Sequence, residues 1–144
     1  DIKGRKISGD DQFLINAVEK DQTGVTFNSL NYIYDTNSRK LRDNIALLPL
    51  DVKKEQRKVF ASENIDQVID LLENQNVDII PVQDFGFLYS KNANPEVGRF
   101  VSWVLDNGLI HNHNYGFLKP TVDVLVSQKK QVEGNGYLSS IKTK

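Results

Sequence analysis

The sequence contains no cysteine among its 144 residues. This absence excludes disulfides, thiolate metal ligands and thiol nucleophiles. The net charge of −1 gives the chain no basic field, so neither nucleic acid nor an anionic membrane is expected as a partner. No apolar run approaches the roughly 20 residues that span a bilayer, and no signal peptide is visible. The composition, 39% hydrophobic and 26% charged, is enough for one core of ordinary size and too little for two large domains.

The sequence begins with Asp1 rather than with methionine. We therefore expect a processed or trimmed piece of a longer chain, and the missing signal peptide says nothing about the precursor. The lack of cysteine fits a bacterial envelope protein as easily as a cytosolic one.

Four segments show the apolar spacing of amphipathic helices. The first helix has Ser8 or Asp10 as its cap, and Ser62 is the expected cap of the second. Trp103, on the apolar face of the third helix, is expected in the core. The last helix contains VDVLV, which alone would also fit a strand. The predicted helices are 10–20, 62–74, 94–110 and 119–132.

Other segments read as extended chain or loop. Residues 25–35 alternate at their start and predict a strand, although LNYIY could equally begin a short helix. A short apolar run ended by Pro49 predicts a buried strand. Because helices and strands alternate, the sequence predicts the α/β class. Further predictions are a strand at 44–50, an exposed loop at 51–61, an extended segment then a strand within 77–91, and a hinge with a short element after 133.

Six segments follow one another in a recognisable order. With the last helix, they resemble the second half of the phosphate-binding proteins of ABC transporters, over about residues 6–133. The segments are ISGDD (7–11), TGVTFNSLNYIYD (23–35), NIALLPLDV (44–52), IPVQDFGFLYSK (80–91), NPEVGRFVSWVLDNGLI (94–110) and YGFLKP (115–120).

This resemblance implies part of a two-lobed periplasmic binding protein-like fold. Residues 1–78 would form a segment of the second lobe, in the order helix-strand-strand-helix, and residues 79–144 would return to the first lobe. The family's main anion-binding sequence, an Arg followed by a Ser-Gly-Thr turn, does not occur in these 144 residues. Phe27-Asn28 stands where the family has Gly-Tyr. The resemblance therefore places the main anion-binding residues outside this chain, in a missing N-terminal half.

Amide and aromatic side chains concentrate at the end of the predicted strand 25–35. Open α/β sheets bind ligands at strand ends, so this is where a cleft would be lined. The alternative is that these residues only cover the sheet. The ligand-binding candidates are Asn28, Ser29, Asn31 and Tyr32.

The two histidines, His111 and His113, are spaced for one face of a strand, which is compatible with a metal ion. A third ligand would have to be Asp106 or Asp123. Because the pair follows a helix end in a loop rich in Gly and Asn, we interpret both as surface residues and predict no metal site.

Charged residues elsewhere read as solvated surface. Arg39, Lys40 and Arg42 would suit an anion but lie in a predicted exposed turn, and Asp66 and Asp70 lie on a polar helix face. No paired carboxylates in a cleft, nucleophile elbow, phosphate loop or dinucleotide fingerprint is present. We predict no catalytic residue, no cofactor and no enzymatic activity.

The resemblance implies a solute-binding component of an ABC-type uptake system. It would bind phosphate or a similar oxyanion by closure of two lobes and deliver it to a membrane permease. The expected place is the periplasm or cell envelope, with a lipid-anchored precursor as one option. The alternative is an interaction or scaffold domain that keeps the fold without the ligand site.

Overall fold

The computed structural model describes residues 4–90 and 93–134. Half of the chain is helical and only 3% is strand. A 3₁₀ helix, Gly108–Tyr115, joins the last two α-helices. The α-helices of the described residues are α1 (Asp11–Lys20), α2 (Leu30–Ile33), α3 (Lys54–Phe60), α4 (Ile65–Asn74), α5 (Pro95–Asn107) and α6 (Val122–Gly134).

The α/β prediction is wrong. In residues 4–90 and 93–134 the extended backbone pairs only at two isolated antiparallel bridges, Tyr34 with Leu41 and Lys40 with Asn64. A strand needs a neighbouring strand for its backbone N–H and C=O groups, and an alternating pattern alone supplies none. The segments predicted as strands, 25–29, 44–50 and 84–90, accordingly belong to no sheet. Residues 30–33 form a short helix, which is the alternative that the sequence left open.

The chain divides into two compact units. The first unit comprises the residues up to Ile79 together with Asn114–Phe117, and the second runs from Ile80 to His113 and from Leu118 onward. The predicted order helix-strand-strand-helix within 1–78 is wrong, because four α-helices and no paired strand lie in its described part. The assignment of 1–78 and 79–144 to two lobes stays a prediction.

The core of the first unit is centred on α4. Asn64, rather than the predicted Ser62, caps this helix, since its Oδ1 accepts from the backbone N–H of Asp66 at 2.9 Å and of Gln67 at 3.2 Å. The apolar stripe that the sequence predicts for this helix consists of Ile65, Val68, Ile69 and Leu72, and its first three members are buried. The buried apolar residues of the unit are Ile15, Tyr34, Leu41, Ile65, Val68, Ile69, Leu71 and Val77.

Helix α1 begins as predicted, with Asp10 accepting from the N–H of Phe13 at 2.8 Å. Its buried residue is Ile15, however, and the predicted stripe member Phe13 is 51% exposed. The position of this helix is therefore predicted correctly, but the face that it buries lies next to the predicted one.

Helix α3 occupies a segment for which the sequence predicts an exposed loop. Its inward residue is polar: Gln56 is 5% exposed, and its Nε2 donates to Gln75 Oε1 at 3.4 Å and to Asn76 O at 3.3 Å. Gln56 Oε1 in turn accepts from the N–H of Lys53 at 3.2 Å. Since a buried glutamine interrupts the apolar pattern, this segment lacks the signal of an amphipathic helix.

In the second unit α5 packs against α6. Asn94 caps α5 by accepting from the N–H of Glu96 at 3.0 Å, with Pro95 at the first helical position as predicted. Asp106 and Lys129 form an ion pair between the two helices at 2.6 Å. Trp103 is 55% exposed, so its predicted place in the core is wrong.

No helix in the described part of the chain is long and apolar enough to cross a membrane. The predicted element after residue 133 falls almost wholly on 135–144, outside the described residues.

Candidate functional site

Two of the predicted ligand-binding residues, Asn28 and Ser29, contact a carboxylate from α1. Asn28 Nδ2 donates to Asp11 Oδ1 at 2.8 Å, and Ser29 Oγ donates to Asp11 Oδ2 at 3.1 Å. The backbone N–H of Ser29 adds a longer bond of 3.4 Å to Oδ1. We call these three residues the Asp11 corner. An amide, a hydroxyl and a backbone N–H, all of them neutral, converge there on one oxyanion group.

The donors of the Asp11 corner are held by the backbone around them. Asn28 Nδ2 also donates to the backbone carbonyl of Asp11 at 2.9 Å. Ser29 precedes α2 as its N-cap, and its carbonyl accepts from the N–H of Tyr32 at 2.9 Å and of Ile33 at 3.3 Å. The Ser29 side chain makes no capping bond of its own, so its hydroxyl is directed to Asp11.

The other two predicted residues, Asn31 and Tyr32, lie within α2. Asn31 packs against Gly116, since a Cβ built on Gly116 would lie 3.2 Å from the N, Cα and Cβ atoms of Asn31. Tyr32 is half-buried. The structure therefore brings Asn28 and Ser29 to a shared group and gives Asn31 a packing role.

The sequence gives Asp11 only a helix-dipole role and misses its contact with Asn28 and Ser29. Seventeen residues separate Asp11 from Asn28. A carboxylate in the first turn of a helix is common because it suits the helix dipole, so the residue type gave no signal of a distant partner.

Arg39 and Asp66, both predicted to be solvated, form an ion pair. Arg39 Nε donates to both carboxylate oxygens of Asp66 at 3.2 Å, and Nη2 also contacts that carboxylate. Nη1 donates to the backbone carbonyls of Thr36 and Asn114, each at 3.3 Å. The guanidinium is thus already paired with a carboxylate. The Asp66 side chain is 56% exposed, as predicted, whereas the Arg39 side chain is only 22% exposed, so the prediction of a solvated side chain is wrong for Arg39.

The histidines lie in the 3₁₀ helix rather than on a strand or in an irregular loop. With three residues per turn, positions two apart point in different directions, so the shared face expected of an H-x-H strand pair does not form. Within residues 4–90 and 93–134 no group of three His, Asp or Glu side chains is placed to hold a metal ion.

Two concavities have walls that include no residue of the Asp11 corner. One, of about 460 Å³ beside α4, is lined by Asp66 and Asp70 together with Val59, Gln67, Leu71 and Gln75. Carboxylates at its wall would repel an oxyanion. The other, of about 140 Å³, has mainly apolar and amide walls that include Phe87, Val101 and Gln128. Among the residues that the structure describes, neither wall includes a cationic side chain.

Comparison with known proteins assigns the chain neither a family nor a function. No family model matches the chain, and neither a curated protein nor a solved structure matches it. A function for the chain therefore rests on its own residues and on the contacts that they make.

Proposed function

We propose that the chain is a solute-binding component of an ABC-type uptake system. It takes up phosphate or a similar oxyanion without chemical change and passes it to a membrane permease, acting in the periplasm or cell envelope. The ordered series of segments that resembles the phosphate-binding proteins supports this proposal. Because the described chain is helical, the proposal keeps the ligand class of that family and leaves out the closure of two α/β lobes.

The observation that carries the proposal is the set of donors in the Asp11 corner. Amide, hydroxyl and backbone N–H groups from Asn28 and Ser29 bind a carboxylate. Carboxylate and phosphate oxygens accept hydrogen bonds from the same donors, and neutral donors suffice when several converge. On this proposal the Asp11 corner by itself binds phosphate weakly, at millimolar concentration, and further anion-binding residues from the N-terminal half that the resemblance implies strengthen the binding.

Isothermal titration of the chain with inorganic phosphate tests the proposal. We expect measurable binding at millimolar phosphate or below, and about tenfold weaker binding for Ser29→Ala, since one lost hydrogen bond to a charged group corresponds to about that factor. Ser127→Ala, on the exposed side of α6, is the matched control and should bind as the unaltered chain does. The absence of binding at millimolar phosphate would refute the proposal, as would an unchanged affinity of Ser29→Ala.

A second candidate function is an interaction domain that binds no solute. It is favoured by the exposed apolar side chains of one extended segment: Val82 is 66%, Phe85 72% and Leu88 101% exposed. Apolar groups that are exposed together commonly mark an interface. This function predicts that the chain does not bind phosphate. It also predicts self-association of the chain, measured by sedimentation velocity, that weakens when Phe85 and Leu88 are both replaced by serine.

A further inference from the structure

The carboxylate of Asp11 occupies the donors that the proposed function assigns to the solute. Asn28 Nδ2, Ser29 Oγ and Ser29 N all point to its two oxygens. An incoming oxyanion therefore cannot use these three groups until the carboxylate leaves them.

The Asn28 amide and the backbone of Ser29 do not depend on that carboxylate for their position. Asn28 stays tied to the backbone carbonyl of Asp11, at 2.9 Å, when the side chain turns away. Ser29 stays fixed by the first turn of α2, whose N–H groups bond to its carbonyl. Asp11 itself is only half-buried, so rotation about its side-chain bonds takes the carboxylate to water. The corner is thus a preformed set of donors with a removable occupant.

We propose that Asp11 is a built-in competitor for the oxyanion site. The inference rests on the proposed function and adds its regulation: phosphate binds only by displacing the carboxylate. Two anions cannot share neutral donors a few ångströms apart without strong repulsion, so phosphate binding and the retention of the Asp11 carboxylate on these donors are mutually exclusive. The competitor raises the phosphate concentration at which the site fills.

The test compares phosphate affinities of four chains by isothermal titration. Asp11→Ala removes the occupant and frees all three donors. Asp11→Asn removes the charge but keeps a group of similar size that can still bond to Ser29 and Asn28. Asp10→Asn is the matched control for charge, since Asp10 contacts the N–H of Phe13 and asparagine caps a helix as well as aspartate does.

We expect Asp11→Ala to bind phosphate on the order of tenfold more tightly than the unaltered chain, with Asp11→Asn between the two. Asp10→Asn should stay within about twofold of the unaltered chain, because a general charge effect at an exposed position is small. Circular dichroism of each variant checks that α1 is retained, and Asp11→Asn carries the test if Asp11→Ala does not fold.

The outcomes separate the two proposals. If the unaltered chain binds phosphate and neither Asp11 variant binds more tightly, the competitor is refuted and the solute-binding function stands. An equal gain for Asp10→Asn also overturns the competitor, since the effect would then come from net charge. If none of the four chains binds phosphate, the solute-binding function fails and the competitor fails with it.

Discussion

Replacing Tyr34 by phenylalanine should stabilise the first unit. Tyr34 is 1% exposed, and its hydroxyl is buried without a hydrogen-bond partner in the described part of the chain. An unpaired buried polar group costs about 1–3 kcal/mol, whereas the ring of phenylalanine fills the same space. We therefore expect the free energy of unfolding at pH 7 to rise by about 1 kcal/mol in Tyr34→Phe.

The pH dependence of the free energy of unfolding tests the same prediction by a second measurement. Burial raises the pKa of Tyr34 from 10.0 to about 12, and the charge of Glu63 acts in the same direction. Above pH 10 the unfolded chain therefore loses this proton while the folded chain keeps it, so the stability that is complete below pH 10 declines as pH rises toward 12. Between pH 9 and pH 11 this linkage removes about 1 kcal/mol from the free energy of unfolding of the unaltered chain and nothing from that of Tyr34→Phe.

Urea denaturation followed by circular dichroism at pH 7, 9 and 11 measures both effects. The difference in free energy of unfolding between the two chains should widen by about 1 kcal/mol from pH 9 to pH 11. Tyr32→Phe is the matched control, since Tyr32 lies two residues away and is only half-buried. A Tyr34→Phe chain that is less stable at pH 7, or a difference that stays constant from pH 9 to pH 11, would refute the reasoning by showing that the hydroxyl is solvated or bonded.

Three further changes test the first unit by thermal unfolding. Asn64→Ala removes the acceptor of two backbone N–H groups and should cost about 1 kcal/mol, while Asn64→Asp keeps the cap and should change little. Ile69→Ala should cost about 2–5 kcal/mol because Ile69 is 1% exposed, against less than about 0.5 kcal/mol for the exposed Val25→Ala in the same unit. Gly116→Ala should cost about 1–3 kcal/mol, since Gly116 has φ of 76° and the new methyl group would press on Asn31. For each of the three destabilising variants, an unchanged melting temperature would contradict the prediction.

Four helices of the described residues, α1, α4, α5 and α6, could be predicted from sequence because their signals are local. Asp10 and Asn94 precede apolar residues at helical spacing, and both cap the helices that the pattern predicts. The stripe of α4 likewise gives its buried face within one residue. Caps and periodicity act over one or two turns, so a short stretch of sequence contains the whole signal.

The predicted strands failed because a strand depends on distant partners. Residues 44–50 and 84–90 have the apolar content of strands, yet the described chain pairs neither of them. Leu88 is fully exposed as a result. A pattern of apolar residues indicates which side chains should be buried, but the segment that would cover them is not readable from that pattern.

Only part of the candidate site could be predicted, because some of its residues are neighbours in sequence and one is distant. Asn28 and Ser29 are neighbours in sequence, and their amide and hydroxyl groups marked them as donors. Asp11 meets them only through the packing of α1 on α2. The Arg39–Asp66 pair was missed in the same way, since the turn and the helix that carry these residues are 27 positions apart.

Two residues of the first unit, Arg39 and Glu63, have backbone conformations that affect how this unit unfolds locally. Arg39 and Glu63 both have left-handed backbones, with φ of 63° and 54°, a conformation that costs non-glycine residues of order 1 kcal/mol each. Each is held by the other's segment, because the N–H of Ile65 bonds to Arg39 O and the N–H of Leu41 bonds to Glu63 O. Neither bend therefore persists alone, and the two segments should open as one cooperative unit. The protected amide hydrogens of the 35–41 turn and of the start of α4 should therefore report the same free energy of opening in hydrogen exchange.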